Sequence, residues 1–400
     1  SNITLDDNGD ATYTNSYGTL ELSGATVRVY ENAATDFGLS SVDVLEAVNV
    51  TGGITDSAVV TINTSGTFTT QTNDDNITLA NLAGAGWLSV NTVGTAGDAT
   101  LTHSAAVDLA ASTVNGALSV SSGAAISDSG TLTVSGTVTM NANAGASNIT
   151  LDDNGDATYT NSYGTLELSG ATVTVYEAGA MDLGASTIGG SLTVDTTAGG
   201  AGGGAVTQSG VVTVTGATSI TTNASGVTLA NNGNDFDDDD SVDAVSVSAG
   251  GANVVLHDTD AIVLGVSAAS DMTVNAARGV AGSITQSGAL TLTGAGTFDV
   301  VNGPSDINLS TAANNIAGVI TVGTAPNVRN LLIRNDNTNA AVPVLPASGM
   351  VNLTLNFPNA AITLPAINIS GFLDVTSGGD ITDSGTLTVS GTVTMNANAG

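Results

Sequence analysis

The densest group of potential ligands in this chain is Asn234-Asp-Phe-Asp-Asp-Asp-Asp240, with Asp243 close behind. Carboxylates packed this tightly repel one another unless they take up protons, spread into solvent or share a cation, and oxygen clusters of this kind suit Ca2+. Asp235, Asp237, Asp238, Asp239, Asp240 and Asp243 are therefore candidate Ca2+ ligands, set against the plainer reading of a solvated corner loop. A second candidate, LDDNGDATY, occurs twice, at 5–13 and 151–159. Asp6, Asp7 and Asp10, and again Asp152, Asp153 and Asp156, place oxygens around an Asn-Gly turn. The phrase lacks the distal Glu of an EF-hand and the GGxGxDxUx nonapeptide of calcium β-rolls, so a turn is the plainer reading. No cofactor is required by these patterns, and Ca2+ is the one they would accept.

Catalytic constellations are hard to assemble from the rest. His103 and His257 are the only histidines, and neither sits in an HExxH or similar spacing. The Gly-rich AGGAGGGA (198–205) is not followed by Gly-Lys-Ser/Thr, and the chain has no lysine. A β-helical polysaccharide lyase would need an Arg or Lys base beside its Ca2+, yet Arg28, Arg278, Arg329 and Arg334 are scattered without repeat. A glycosidase needs only two carboxylates across a cleft, and 36 acids guarantee coincidental pairs. A carbohydrate-active enzyme is thus an alternative, while the expectation is that the chain is not an enzyme. Outward Thr ladders such as Thr131, Thr133, Thr137 and Thr139 would also suit an ice-binding face, but Thr is simply a good exposed strand residue.

The elements that must carry these residues are short strands. In Thr131–Met140, Leu132 and Val134 face one way and Thr131 and Thr133 the other, and after Gly136 the alternation resumes with Val138 and Met140. LTVDT (192–196), VVTVTG (211–216), ALTLTG (289–294) and NLTLN (352–356) read alike. This period of two predicts half-buried strands, punctuated by Gly, Asn and Asp.

The strands recur. Residues 1–31 and 147–177 are the same phrase apart from Arg28 against Thr174, and 126–145 matches 381–400 apart from Ser127 against Thr382. A shorter phrase sets a beat near 54, 126, 206, 284 and 381: Ile54-Thr-Asp-Ser, Ile126-Ser-Asp-Ser, Val206-Thr-Gln-Ser, Ile284-Thr-Gln-Ser and Ile381-Thr-Asp-Ser, in modules of 72 to 97 residues. The longest interval holds 304–367, which carries all six prolines and reads as an insertion or a divergent module. Both ends of the sequence read as cut from a longer array.

Composition narrows the class. With 36 acidic and 4 basic residues the net charge is −32, which excludes the basic footprint of nucleic-acid binding and disfavours docking on anionic lipid. There is no cysteine, hence no disulfide or thiolate chemistry. No apolar run of about 18 residues occurs, so no membrane insertion is expected in this segment. At 41% apolar but 3% aromatic the chain can bury a core, and that core should be aliphatic. The expected fold is all-β: a right-handed parallel β-helix, or β-solenoid rod, running continuously through 1–400 with about 20 residues per coil. Tandem β-sandwich domains are the alternative, disfavoured by single-residue corners, a lone Trp87 and drifting module lengths. Stability should come from aliphatic ladders inside and Asn or Thr ladders at corners.

The phrases GGSLTV...VTQSGVVTVTGATSITTNASGVTLANNGNDF (189–236), SGALTLTGAGTFDV (287–300) and SGTLTVSGTVTMNA (129–142) resemble the repeat region of filamentous-haemagglutinin-like bacterial adhesins. The resemblance covers most of the chain, less so 304–367, and implies a right-handed β-helical shaft on a giant exported protein of a Gram-negative bacterium. The family's secretion domain with its Asn-Pro-Asn-Gly motif is not in this sequence. The expected function is the shaft of a secreted or cell-surface repeat protein, extracellular in location, meeting glycans or proteins through weak multivalent contacts. The alternative is a self-assembling filament, sheath or surface-layer subunit whose open coil ends associate end to end.

Overall fold

The computed structural model describes residues 1–5, 14–152, 161–197, 203–237, 243–279, 281–323, 327–346 and 349–397. The chain forms two compact units, Ser1–Gly190 with Val194–Gly199, and Ser191–Thr193 with Gly200–Gly400. Each is a parallel β-solenoid.

In the first unit the coil Val107–Leu109, Ser112–Val114, Leu118–Ser122 lies under the coil Ile126–Asp128, Leu132–Val134, Val138–Ala142. Val107 pairs with Ile126, Ser112 with Leu132 and Leu118 with Val138, so one turn takes 19 or 20 residues. In the second unit Ile262 pairs with Ile284, Ser267 with Leu290 and Met272 with Gly296, a turn of 22 to 24 residues. Parallel neighbours put each inward residue directly over its counterpart about 4.8 Å away. Leu132, Val138 and Met140 are fully buried in this way, while Thr133 is exposed.

The interior is mostly aliphatic, but not wholly. Phe37, Phe68, Phe236, Phe298 and Phe357 are fully buried, and Phe37 meets Phe68 edge-on at 6.4 Å. Space for the rings comes from glycine. In Gly66-Thr67-Phe68 and Gly296-Thr297-Phe298 the glycine shares the inward face with the ring two residues on. A Cβ on Gly296 would stand 2.8 Å from Phe298 Cε2, and one on Gly66 would stand 3.0 Å from Phe68 Cε2.

The divergent stretch 304–367 joins the same parallel sheet. Ser305–Ile316 pairs with Val328–Asn335, which pairs with Asn352–Phe357, which pairs with Leu373–Ser377. Among the described residues no helix is long and apolar enough to cross a membrane.

Candidate functional site

The recurring phrase places its third residue at a corner, and there the side chain reaches the following coil. Asp56 accepts the N–H groups of Ala80 at 2.7 Å and Asn81 at 2.8 Å. Asp128 accepts the N–H of Asp152 at 2.8 Å and the side-chain amide of Asn161 at 2.7 Å. Gln286 and Asn314 exchange amide hydrogen bonds, 2.9 Å each way, and Gln208 and Asn234 do the same at 2.8 Å. The fourth residue reaches back: Ser129 N–H donates to Leu109 O at 2.8 Å and Ser287 N–H to Leu264 O at 2.9 Å. A three-residue strand leaves its corner backbone groups unpaired, and buried unpaired groups are costly. The phrase satisfies them from both sides, which is why it recurs once per module.

A second corner follows the long strand of a coil. Glu31, Glu177 and Asp258 each stand there, four residues before Thr35, Met181 and Ile262 respectively, and each is fully buried or nearly so. Glu31 is satisfied on both oxygens. It accepts the N–H of Tyr17 on Oε1, and Thr35 Oγ1, as donor, stands 2.7 Å from Oε2 and 2.6 Å from Asn49 Oδ1. In the second copy of the phrase Glu177 keeps the equivalent bond from Tyr163 N–H, at 3.0 Å. Met181 replaces the threonine, and Glu177 Oε2 is left buried without a hydrogen bond. Burial pushes the Glu177 carboxyl up to about 8, against the opposing pull of the Tyr163 N–H.

Asp258 is likewise pushed up to about 8 by burial, although it accepts N–H bonds from Asp260 at 2.9 Å and Phe236 at 3.0 Å; the nearby Asp260 charge raises it further. Asp235, Asp258 and Asp260 bring one carboxylate oxygen each within 4.8 Å of one another. Ca2+ takes about 6–8 oxygens, so the three side chains offer at most half a shell, and a cation would have to displace the proton on Asp258.

The structure therefore redistributes the acids singled out in the sequence. Asp235 joins Asp258 and Asp260 from the next coil. Asp237 is buried, with its N–H bonded to Val214 O at 2.8 Å, and neither it nor Asp243 belongs to the group. Asp238, Asp239 and Asp240 lie outside the described residues, as do Asp6, Asp7, Asp10, Asp153 and Asp156. Asp152 is tied to Asp128 through its backbone. Sequence reading missed Asp258 and Asp260; the available signal was that HDTD (257–260) precedes a strand at the same distance as Glu31 and Glu177 do.

Both histidines are held by hydrogen bonds. His103 is buried and accepts the N–H of Ala105 on Nδ1 at 3.1 Å, and burial lowers its pKa. His257 lies between Asn232 at 3.2 Å and Asn275 at 2.9 Å; burial and then the Arg278 charge lower its pKa. A cleft of about 460 Å³ in the second unit is lined by Pro343, Pro346, Met350, Thr363 and Pro365 among others, and among the described residues no titratable side chain lines it.

No curated protein and no solved structure matches the chain. Residues 96–165, 170–243, 251–323 and 350–400, together about two thirds of the sequence, match the model of a family described as repeats of unknown function (DUF5649). The four matches follow the modules tied by the corner phrase, and on that coverage the chain belongs to this family of repeats.

Proposed function

We propose that this chain is a non-enzymatic structural segment, the shaft of a secreted or surface-displayed bacterial repeat protein. It holds binding regions away from the cell and adds weak multivalent contacts along its acidic surface. The observation that supports this most is where the repeated residues go. Asp56, Asp128, Gln208 and Gln286 are all engaged in coil-to-coil ties. Extension by near-identical coils, each supported by its neighbours, is what such a phrase serves. The acidic corners accept Ca2+ only as an accessory to stability.

The test is to couple the purified chain to beads and to measure binding to cell surfaces and a glycan panel, with the free chain in parallel. The expected result is weak binding by the free chain and strong binding by the multivalent beads. Release of new ends from a polysaccharide panel, or tight saturable binding of one small ligand, overturns the reading.

A further inference from the structure

Asn-Gly pairs occur at Asn8, Asn115, Asn154, Asn232 and Asn302. A glycine leaves its backbone nitrogen unshielded, so that nitrogen can attack the side-chain carbonyl carbon of the asparagine before it. Asn8 and Asn154 lie outside the described residues. The other three stand in different surroundings. Asn115 is locked into its coil: its N–H donates to Thr92 Oγ1 at 3.1 Å, its Nδ2 to Thr92 O at 2.9 Å, and the N–H of the buried Gly116 to Gly97 O at 2.9 Å. Asn302 is held through Nδ2 by Arg278 O at 3.1 Å and through its N–H by Ala277 O at 3.0 Å. Gly303 is pressed against Asn327, where a Cβ would stand 2.3 Å from the carbonyl oxygen.

Asn232 is the reverse case. It and Gly233 are exposed in the turn between Val227–Leu229 and Asp235–Phe236. Among the described residues its Nδ2 has no hydrogen bond, while its Oδ1 stands 3.2 Å from His257 Nδ1. Asn275 Nδ2 lies 2.9 Å from the other ring nitrogen, Nε2. An amide NH2 can only donate, so Nε2 is the acceptor and the ring proton sits on Nδ1, aimed at Asn232 Oδ1. Burial and then the Arg278 charge lower the His257 pKa, which keeps the ring neutral at neutral pH. The Gly233 N–H donates to Asn231 Oδ1 at 3.0 Å, a single bond in an exposed turn.

We propose that Asn232 is a self-modification site that converts to aspartate and isoaspartate with water as the only co-reactant, promoted by His257. The Gly233 nitrogen loses its proton to solvent and bonds to Asn232 Cγ. The carbonyl electron pair moves onto Oδ1, where the His257 Nδ1–H meets the developing charge. The pair returns, the Cγ–Nδ2 bond breaks, and the nitrogen leaves as ammonia with a proton from water. Water then opens the five-membered imide at either carbonyl. The net change is one water consumed and one ammonia released, with no oxidation or reduction. The product sets a carboxylate beside His257. Isoaspartate also adds a carbon to the backbone of the turn that carries Asn234, which is tied to Gln208 at 2.8 Å each way, so the modification acts on a coil-to-coil tie.

The experiment holds the whole purified chain at neutral pH in water labelled with heavy oxygen and follows each Asn-Gly pair by chymotryptic mass spectrometry, with Ala230–Phe236 as the reporting peptide. Asn232 should convert about ten-fold faster than Asn115 and Asn302, take up the label and give two products of equal mass. In urea the three rates should converge, since only folding distinguishes them. His257→Phe removes the donor and should slow Asn232 about ten-fold, less than an oxyanion donor is worth in a closed site because the turn is open to water. A slow Asn115 in that variant reports that the coils remain folded. Asn275→Leu, which frees the ring to carry its proton on Nε2, should slow Asn232 as well. Equal rates for the three pairs in the folded chain, or an Asn232 that stays an amide while another converts, overturn the site. An Asn232 rate unchanged in both variants overturns the part played by the ring.

Discussion

Replacing Met181 by threonine should lower the Glu177 pKa and flatten the dependence of stability on pH. Glu177 moves from an ordinary 4.5 to about 8 in the folded chain because its carboxyl is buried and only one oxygen is bonded. Between those values the folded state holds one proton more than the unfolded state. Stability associated with Glu177 is therefore fully present below pH 4.5 and is lost as pH rises through 8. The slope is about −1.4 kcal/mol per pH unit, and the whole loss is about 5 kcal/mol. In the first copy Thr35 Oγ1 stands 2.7 Å from Glu31 Oε2, so Met181→Thr supplies the missing donor. A hydrogen bond to a carboxylate contributes about 1.5–3 kcal/mol, which should bring the pKa down by about 1–2 units. Losing the buried methionine costs about 2 kcal/mol at any pH.

The two effects oppose each other differently across the range. At pH 5 the variant should be less stable than the parent chain, and at pH 9 equal or better, so the urea midpoints should converge or cross. Glu177→Gln should remove this contribution to the slope, leaving the parallel one from Asp258 in the other unit. The pKa itself can be read directly, because the chain has only five glutamates, Glu21, Glu31, Glu46, Glu167 and Glu177. Carboxyl-carbon NMR of glutamate-labelled protein should show one signal titrating near 8 that is absent in Glu177→Gln. Five signals all titrating below pH 6, or a high signal that Met181→Thr leaves unmoved, would refute the reasoning.

Four further outcomes follow from the packing. Gly296→Ala drives a methyl to 2.8 Å from Phe298 Cε2 and should cost about 1–3 kcal/mol, read as a lower urea midpoint, whereas a neutral effect would show that the ring has room to move. Asn314→Ala strips Gln286 of its reciprocal partner and should cost about 2–3 kcal/mol, read as a lower urea midpoint, since Gln286 Oε1 and the Leu290 N–H are then left unpaired while Gln286 Nε2 keeps Gly288 O. Leu132→Asp puts a charge on a fully buried ladder and should open the neighbouring coils to protease, and unchanged resistance there would count against the ladder. Millimolar Ca2+ should raise the melting temperature through the acidic corners, Asp258→Asn should reduce that rise, and identical melts in Ca2+ and chelator at fixed ionic strength would remove the cation.

The strands were legible because their signal is local. Leu132 and Val134 face in and Thr133 out, as alternation requires, and the corners fall at the expected Gly and Asn residues. An aliphatic core was too strict an expectation: few rings occur, yet five are fully buried, and the glycine two residues before Phe68 and Phe298 was the readable sign of room for them. The acids were harder for a physical reason. Neighbours along a strand point to opposite faces, while residues a coil apart sit about 4.8 Å from one another. Asp235 therefore meets Asp258 and Asp260, 23 and 25 positions on. Coil length sets that offset, and it varies from the 17 residues of Thr165 to Asp182 to the 28 of Val138 to Leu166. The beat of the corner phrase could be counted from sequence, but its partners Asn161, Asn234 and Asn314 lie 33, 26 and 28 residues away, and no single period finds them.

The two duplicated phrases separate what a coil's own residues determine from what its neighbours determine. Residues 1–31 and 147–177 place a glutamate at the same corner with the same N–H bond, so that much is intrinsic to the phrase. One substitution beyond the copy, threonine to methionine, leaves Oε2 of the second glutamate without a hydrogen bond. Residues 126–142 have their ladder sealed by the coil that follows, Val138 and Met140 lying under Leu166 and Leu168. A coil in this architecture is thus complete only with a neighbour on each face. The junction between 126–142 and 147–177 is made by Asn161, which donates to Asp128 and accepts the N–H of Leu132, so the tie depends on residues from two coils rather than on either alone.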